Sequence, residues 1–87
     1  VSVLAVDDTP ANLVVLEAIL SELGVVVTRA LSGEEALREL DAKDFAVVLL
    51  DVRMPGLSGF DTARRIRSGG RPRHTPIIFL TAVLEDE

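Results

Sequence analysis

Cysteine is absent from the 87-residue chain, which excludes a disulfide, a thiolate metal site and a thiol nucleophile, and is compatible with a cytosolic setting. Long apolar runs are absent too. The longest, residues 45–50, falls far short of the ~20 residues a membrane helix needs, and the amino terminus lacks the basic start of a signal peptide, so this segment has no membrane role. Positive charge is scarce, with nine Lys and Arg against fourteen Asp and Glu and a net charge of −5. That balance argues against a nucleic-acid partner, because phosphate affinity depends on clustered cations. Arg64, Arg65, Arg67, Arg71 and Arg73 lie close together, but they read as a solvated stretch complementing the dipole at the end of a helix. Phe45, Phe60 and Phe79 read as core. With 48% hydrophobic residues, the remainder describes one packed domain with a single core.

The order of elements follows from the pattern of apolar and turn residues. Residues 1–6 form an apolar, partly β-branched strand that stops at Asp7 and Asp8. Thr9 and Pro10 supply a hydroxyl cap and a first-turn proline for a helix carrying Leu13, Leu16, Leu20 and Leu23, and Gly24 ends it. Residues 25–30 return to strand. Ser32 and Glu35 have the spacing of a capping box before a helix with Ala36, Leu37 and Leu40 inward. Residues 45–50 are a wholly apolar strand halting at Asp51. Pro55, Gly56 and Gly59 mark a loop, Ser58 caps a third helix with Phe60, Ala63 and Ile66 on one side, and residues 77–80 form a fourth strand ending at Thr81. Residues 82–87 read as the start of another helix. Such β-α-β-α-β-α-β alternation with apolar strands predicts an α/β fold, a doubly wound parallel sheet covered by helices on both faces.

In an open α/β sheet, sites form beyond the carboxyl ends of the strands. Asp7, Asp8, Asp51 and Thr81 all stand there, so right-handed crossovers bring three carboxylates and a hydroxyl to one rim. Clustered carboxylates repel one another unless a cation lies between them. Mg2+ suits the set, since it takes few carboxylates and keeps positions for water and phosphate oxygens.

Three stretches carry a resemblance: Val6-Asp7-Asp8, Leu49-Leu50-Asp51-Val52-Arg53-Met54-Pro55-Gly56-Leu57-Ser58-Gly59, and Leu80-Thr81-Ala82. In that order they resemble the receiver domain of two-component response regulators and hybrid histidine kinases, over all 87 residues. The resemblance implies a cytoplasmic phosphoacceptor domain with a flavodoxin-like sheet, the strands present here ordered 2-1-3-4. It implies that Asp51 takes a phosphoryl group from a histidine kinase or histidine phosphotransfer domain. Asp8 and Asp51 would be direct Mg2+ ligands, Asp7 a ligand through water, and Arg53 a ligand through its backbone carbonyl, with its side chain bordering the site. Thr81 would be the switch hydroxyl, beside a small Ala82. Residues 8–13 are similar to receivers attached to histidine kinases, so enzymatic activity beyond self-phosphorylation would belong to a hybrid kinase.

Compared with a complete receiver, residues 1–87 lack a fifth strand with its lysine, an aromatic switch residue and two helices. The domain is therefore expected to be incomplete at its carboxyl end, with an exposed edge at the fourth strand through which copies could associate. Lys43 cannot replace the lysine, because it precedes the third strand at the opposite end of the sheet, and His74 falls in a loop away from the rim. Two other readings compete. A phosphatase of the haloacid dehalogenase type needs a second acid two residues past the nucleophile, where this chain has Arg53. A receiver kept only for protein contact would not require the three acids and Thr81 that are retained.

Overall fold

The computed structural model describes residues 1–68 and 75–80. Seven elements alternate along the chain: β1 (Ser2–Val6), α1 (Pro10–Ser21), β2 (Val26–Ala30), α2 (Gly33–Ala42), β3 (Val47–Asp51), α3 (Gly59–Arg67) and β4 (Ile77–Leu80). The strands form one parallel sheet in the order β2-β1-β3-β4, as the sequence implied.

The core is densest where the strands have neighbours on both edges. In β1, Val3, Leu4, Ala5 and Val6 are all buried, the pattern of a strand covered on both faces. Leu4 and Val6 join Val48 and Leu50 of β3, Ala36 and Leu40 of α2, and Ile66 of α3 in one apolar cluster. Val3 and Ala5 alternate to the other face. Leu13, the one fully inward residue of α1, is buried outside the main cluster. Each large aliphatic side chain removed from water here contributes about 1.5 to 3 kcal/mol.

Several boundaries differ from the expectation. Val1 and Val25 lie outside their strands, and Phe45 and Ala46 precede β3, although Phe45 is still buried. Helix α1 ends at Ser21, and the chain turns through Gly24 at φ +78°, leaving Leu23 exposed rather than inward. Phe60 and Phe79 are exposed, at 55% and 39%, and do not belong to the core. They pack on each other instead, with ring centroids 5.0 Å apart. On α3 the inward side carries Thr62 beside the expected Ile66, both fully buried.

The capping predictions divide. Ser32 Oγ accepts the Glu35 N–H at 3.1 Å and Ser58 Oγ accepts the Asp61 N–H at 3.2 Å, as the spacing demanded. Thr9 occupies the cap position of α1, but its side chain makes no capping bond. Lys43 closes α2, with its ammonium 5.2 Å from the centre of the Phe45 ring, before β3 begins. In α3, Arg64 pairs with Asp61 at 3.0 Å on the surface, as a solvated face would. Arg71, Arg73, His74 and the helix expected over 82–87 lie outside the described residues. Among the described residues, no helix is long and apolar enough to cross a membrane.

Leu4→Ala should lower the unfolding free energy by about 2 to 5 kcal/mol in urea titration, because the void it opens sits where β1 is enclosed on every side. Val15→Ala, at a position 59% exposed on α1, should move it by no more than ~0.5 kcal/mol.

Candidate functional site

The pairing register decides where the acids meet. Val6 stands opposite Leu50 on β3, and both strands run the same way, so the next residues, Asp7 and Asp51, reach the carboxyl rim at the same level. Asp8 follows at once. Oxygens of Asp7, Asp8 and Asp51 all lie within 4.8 Å of one another. The structure thus brings together the three carboxylates that the sequence placed at one rim. Thr81 and Ala82 lie outside the described residues, although Leu80 pairs with Asp51 in register.

Each acid is held differently. Asp7 is only 8% exposed, and its Oδ1 accepts the Thr9 N–H at 2.9 Å while its Oδ2 accepts Nδ2 of Asn12 at 3.1 Å. The Asp7 carboxylate thus closes the turn that leads into α1, while the Thr9 hydroxyl makes no capping bond. Asp8 is exposed. Asp51 is half-buried and its Oδ1 accepts the Arg53 N–H at 3.4 Å, which brings the backbone of Arg53 against the site while that residue remains exposed.

Burial pushes the Asp51 carboxyl above its ordinary value of 3.8, and the charge of Asp7 adds to that rise. The Arg53 N–H opposes it, and Asp8 adds a smaller push upward. Hard oxygen donors converging on one point, with the central acid reluctant to ionise, fit a small divalent cation.

Two features around the acids were not read from the sequence. One is Asn12, whose only signal is a carboxamide in the first turn of the helix that follows the acid pair. The other is the closeness of α3 to β3. A Cβ on Gly59 would overlap the carbonyl oxygen of Asp51 and lie 2.8 Å from Cα of Val52, while the Gly59 N–H donates to the Val52 carbonyl at 3.1 Å. The glycine had been read as a loop former; it also permits backbone contact at the acid. Met54, 8% exposed, anchors the intervening loop in the core, and Gly56 turns it at φ +75°.

The chain matches the response regulator receiver domain model over residues 3–87. It belongs to that family. It is 39% identical over 83 residues to the sensor histidine kinase GacS of Pseudomonas protegens and 39% identical over 82 residues to the response regulator PleD of Caulobacter vibrioides. Those matches cover 92% and 93% of this chain, which spans 9% and 18% of the two proteins' lengths. Among solved structures, the N-terminal domain of a response regulator receiver protein from Methanoculleus marisnigri superposes with a TM-score of 0.89 at 37% identity, over 93% of this chain and 66% of that one. The response regulator TrrA of Thermotoga maritima, solved in complex with Mg(2+)-BeF, gives 0.83 at 38% identity, over 93% of this chain and 69% of that one. A structure of histidine kinase ThkA in complex with TrrA gives 0.85 at 35% identity, over 99% of this chain and 74% of that one. The receiver is thus a parallel flavodoxin-like sheet of the two-component signalling family, with an acid cluster at its carboxyl rim.

The raised carboxyl has a consequence for stability. Since the folded state holds the Asp51 proton more tightly than the unfolded chain, the stability tied to this group is full below pH 3.8 and is lost as pH rises through the higher folded value. At neutral pH without divalent cations, Asp51→Asn should therefore melt at a higher temperature than the wild type, with the advantage shrinking toward pH 3.8, as thermal scans across pH would record. Gly59→Ala should do the opposite and lower the melting temperature at every pH, because backbone must move at β3 to admit the methyl group.

Proposed function

We propose that Asp51 accepts a phosphoryl group from a phosphohistidine on a partner histidine kinase or histidine phosphotransfer domain, and that the acyl phosphate so formed shifts the conformation of the receiver. The observation that carries this reading is the site of Asp51: the last residue of a strand paired on both sides, half-buried, with two more carboxylates within 4.8 Å. In the transfer, a carboxylate oxygen of Asp51 forms an O–P bond in line as the N–P bond to the donor imidazole breaks. The imidazole nitrogen retains the electron pair and takes up a proton. Nucleophile and leaving group are both on proteins, so the rim must admit the donor side chain, and the exposed Asp8 side leaves it open.

Asp8 and Asp51 would hold Mg2+ directly, Asp7 through water, and the Arg53 carbonyl would add a third direct protein oxygen. Bound there, Mg2+ supplies positive charge across the phosphoryl oxygens as negative charge spreads over them. The complex of TrrA with Mg(2+)-BeF supports this choice by kinship, and the complex of ThkA with TrrA supports a histidine kinase as partner. The Arg53 N–H on Asp51 Oδ1 leaves the other oxygen of that carboxylate for attack. Thr81, next in sequence after β4, would turn its hydroxyl toward the phosphoryl group once formed. In this reading residues 1–87 belong to one receiver domain.

Incubating the full chain with acetyl phosphate and Mg2+ and weighing it intact should show a single added phosphoryl group. Chelation of the metal should abolish the gain, and so should Asp51→Asn. A variant Asn at position 51 that gains the group as fast as the wild type would refute the assignment.

A further inference from the structure

We propose that Asn12 is the positioning residue of the acid cluster, fixing the Asp7 carboxylate relative to Asp51 and tying the cation site to the first turn of α1. The inference rests on the divalent-cation reading given above. Its starting point is the entry of α1, where Thr9 stands at the cap but makes no bond through its side chain. The Asp7 carboxylate closes the turn before it, with Oδ1 accepting the Thr9 N–H at 2.9 Å, and its Oδ2 accepts a hydrogen bond from the carboxamide of Asn12 at 3.1 Å. A carboxylate gripped at one oxygen can swing about its Cβ–Cγ bond. Gripped at both, by donors from two different residues, it has a fixed plane.

The chemistry of the second donor matters. A carboxylate oxygen accepts about two hydrogen bonds, so each Asp7 oxygen retains capacity for a water on a neighbouring cation after its protein bond is made. A lysine in place of Asn12 would cancel the charge that attracts the cation, and an acid would repel Asp7. The neutral carboxamide does neither. It is carried by backbone that is itself fixed, since the Asn12 N–H donates to the Thr9 carbonyl at 3.0 Å. Donors of this kind behind a metal ligand typically change affinity by about tenfold or more.

Titration calorimetry of the full chain with MgCl2, with the amide shifts of Asp8 and Asp51 followed in parallel, tests the proposal. Asn12→Ala should bind Mg2+ roughly tenfold more weakly than the wild type. Ala11→Gly loosens the same helical turn without touching Asp7, and should leave the affinity near the wild-type value. Equal affinity in Asn12→Ala and wild type would overturn the positioning role. So would an equal loss in Ala11→Gly, because helix stability alone would then account for the effect. A wild-type chain that does not bind Mg2+ would overturn the cation reading itself, an outcome distinct from either of these.

Discussion

The in-register parallel pairing of β1 with β3 is the constraint from which the site follows. Strands lie about 4.8 Å apart in a sheet, so two acids that end adjacent strands at one level are neighbours whatever their side chains prefer. Slipping either strand by one residue would separate them, but it would also turn Leu4, Val6, Val48 and Leu50 out of the core cluster. The burial of those four side chains therefore holds Asp7 and Asp51 together against their mutual repulsion. Apolar packing fixes the electrostatics.

The same dependence extends outward through contacts that leave no room. Gly59 lets the start of α3 touch the backbone of Asp51, and a Cβ on Gly33 at the start of α2 would overlap Oγ1 of Thr62 and lie 3.0 Å from Leu57 Cδ2. Thr62 is fully buried with its hydroxyl donating to the Ser58 carbonyl at 2.8 Å, so its position is fixed from both sides. From α2 to α3 to the end of β3, there is little slack to absorb a displacement.

Much of this was legible in the sequence, for reasons that differ by element. The succession of strands and helices followed from runs such as residues 45–50, where a continuous apolar stretch has one stable location, between two layers of helix, whereas the strand order rested on the family resemblance. The Ser32 and Ser58 caps were legible because a hydroxyl three residues before the N–H it accepts leaves little alternative geometry. The acid cluster followed from the rule that α/β sites gather at strand ends. Thr9 makes no side-chain capping bond, and the local side-chain bond at this turn is made by Asp7, whose carboxylate accepts the Thr9 N–H two residues on. Phe60 lies outside the core because its spacing from Ile66 suits either side of a short helix, and the inward place goes to the smaller Thr62, whose hydroxyl donates to the carbonyl of the cap residue Ser58. Asn12 was invisible, since a hydrogen bond across the turn between a strand end and a helix is a property of three dimensions.

Charge and stability oppose each other at the rim. Burial and the neighbouring acids raise the carboxyl of Asp51, so at neutral pH the folded chain carries a repulsion that the unfolded chain does not. A sheet selected for stability alone would end β1 and β3 in smaller or neutral residues. Retaining three acids makes the folded state the only one in which their combined field exists, and any group that relieves it stabilises folded protein and leaves the unfolded chain unaffected. Binding energy at the rim is in this way coupled to the packing of the loop and helices behind it, because they are what keeps the acids from moving apart.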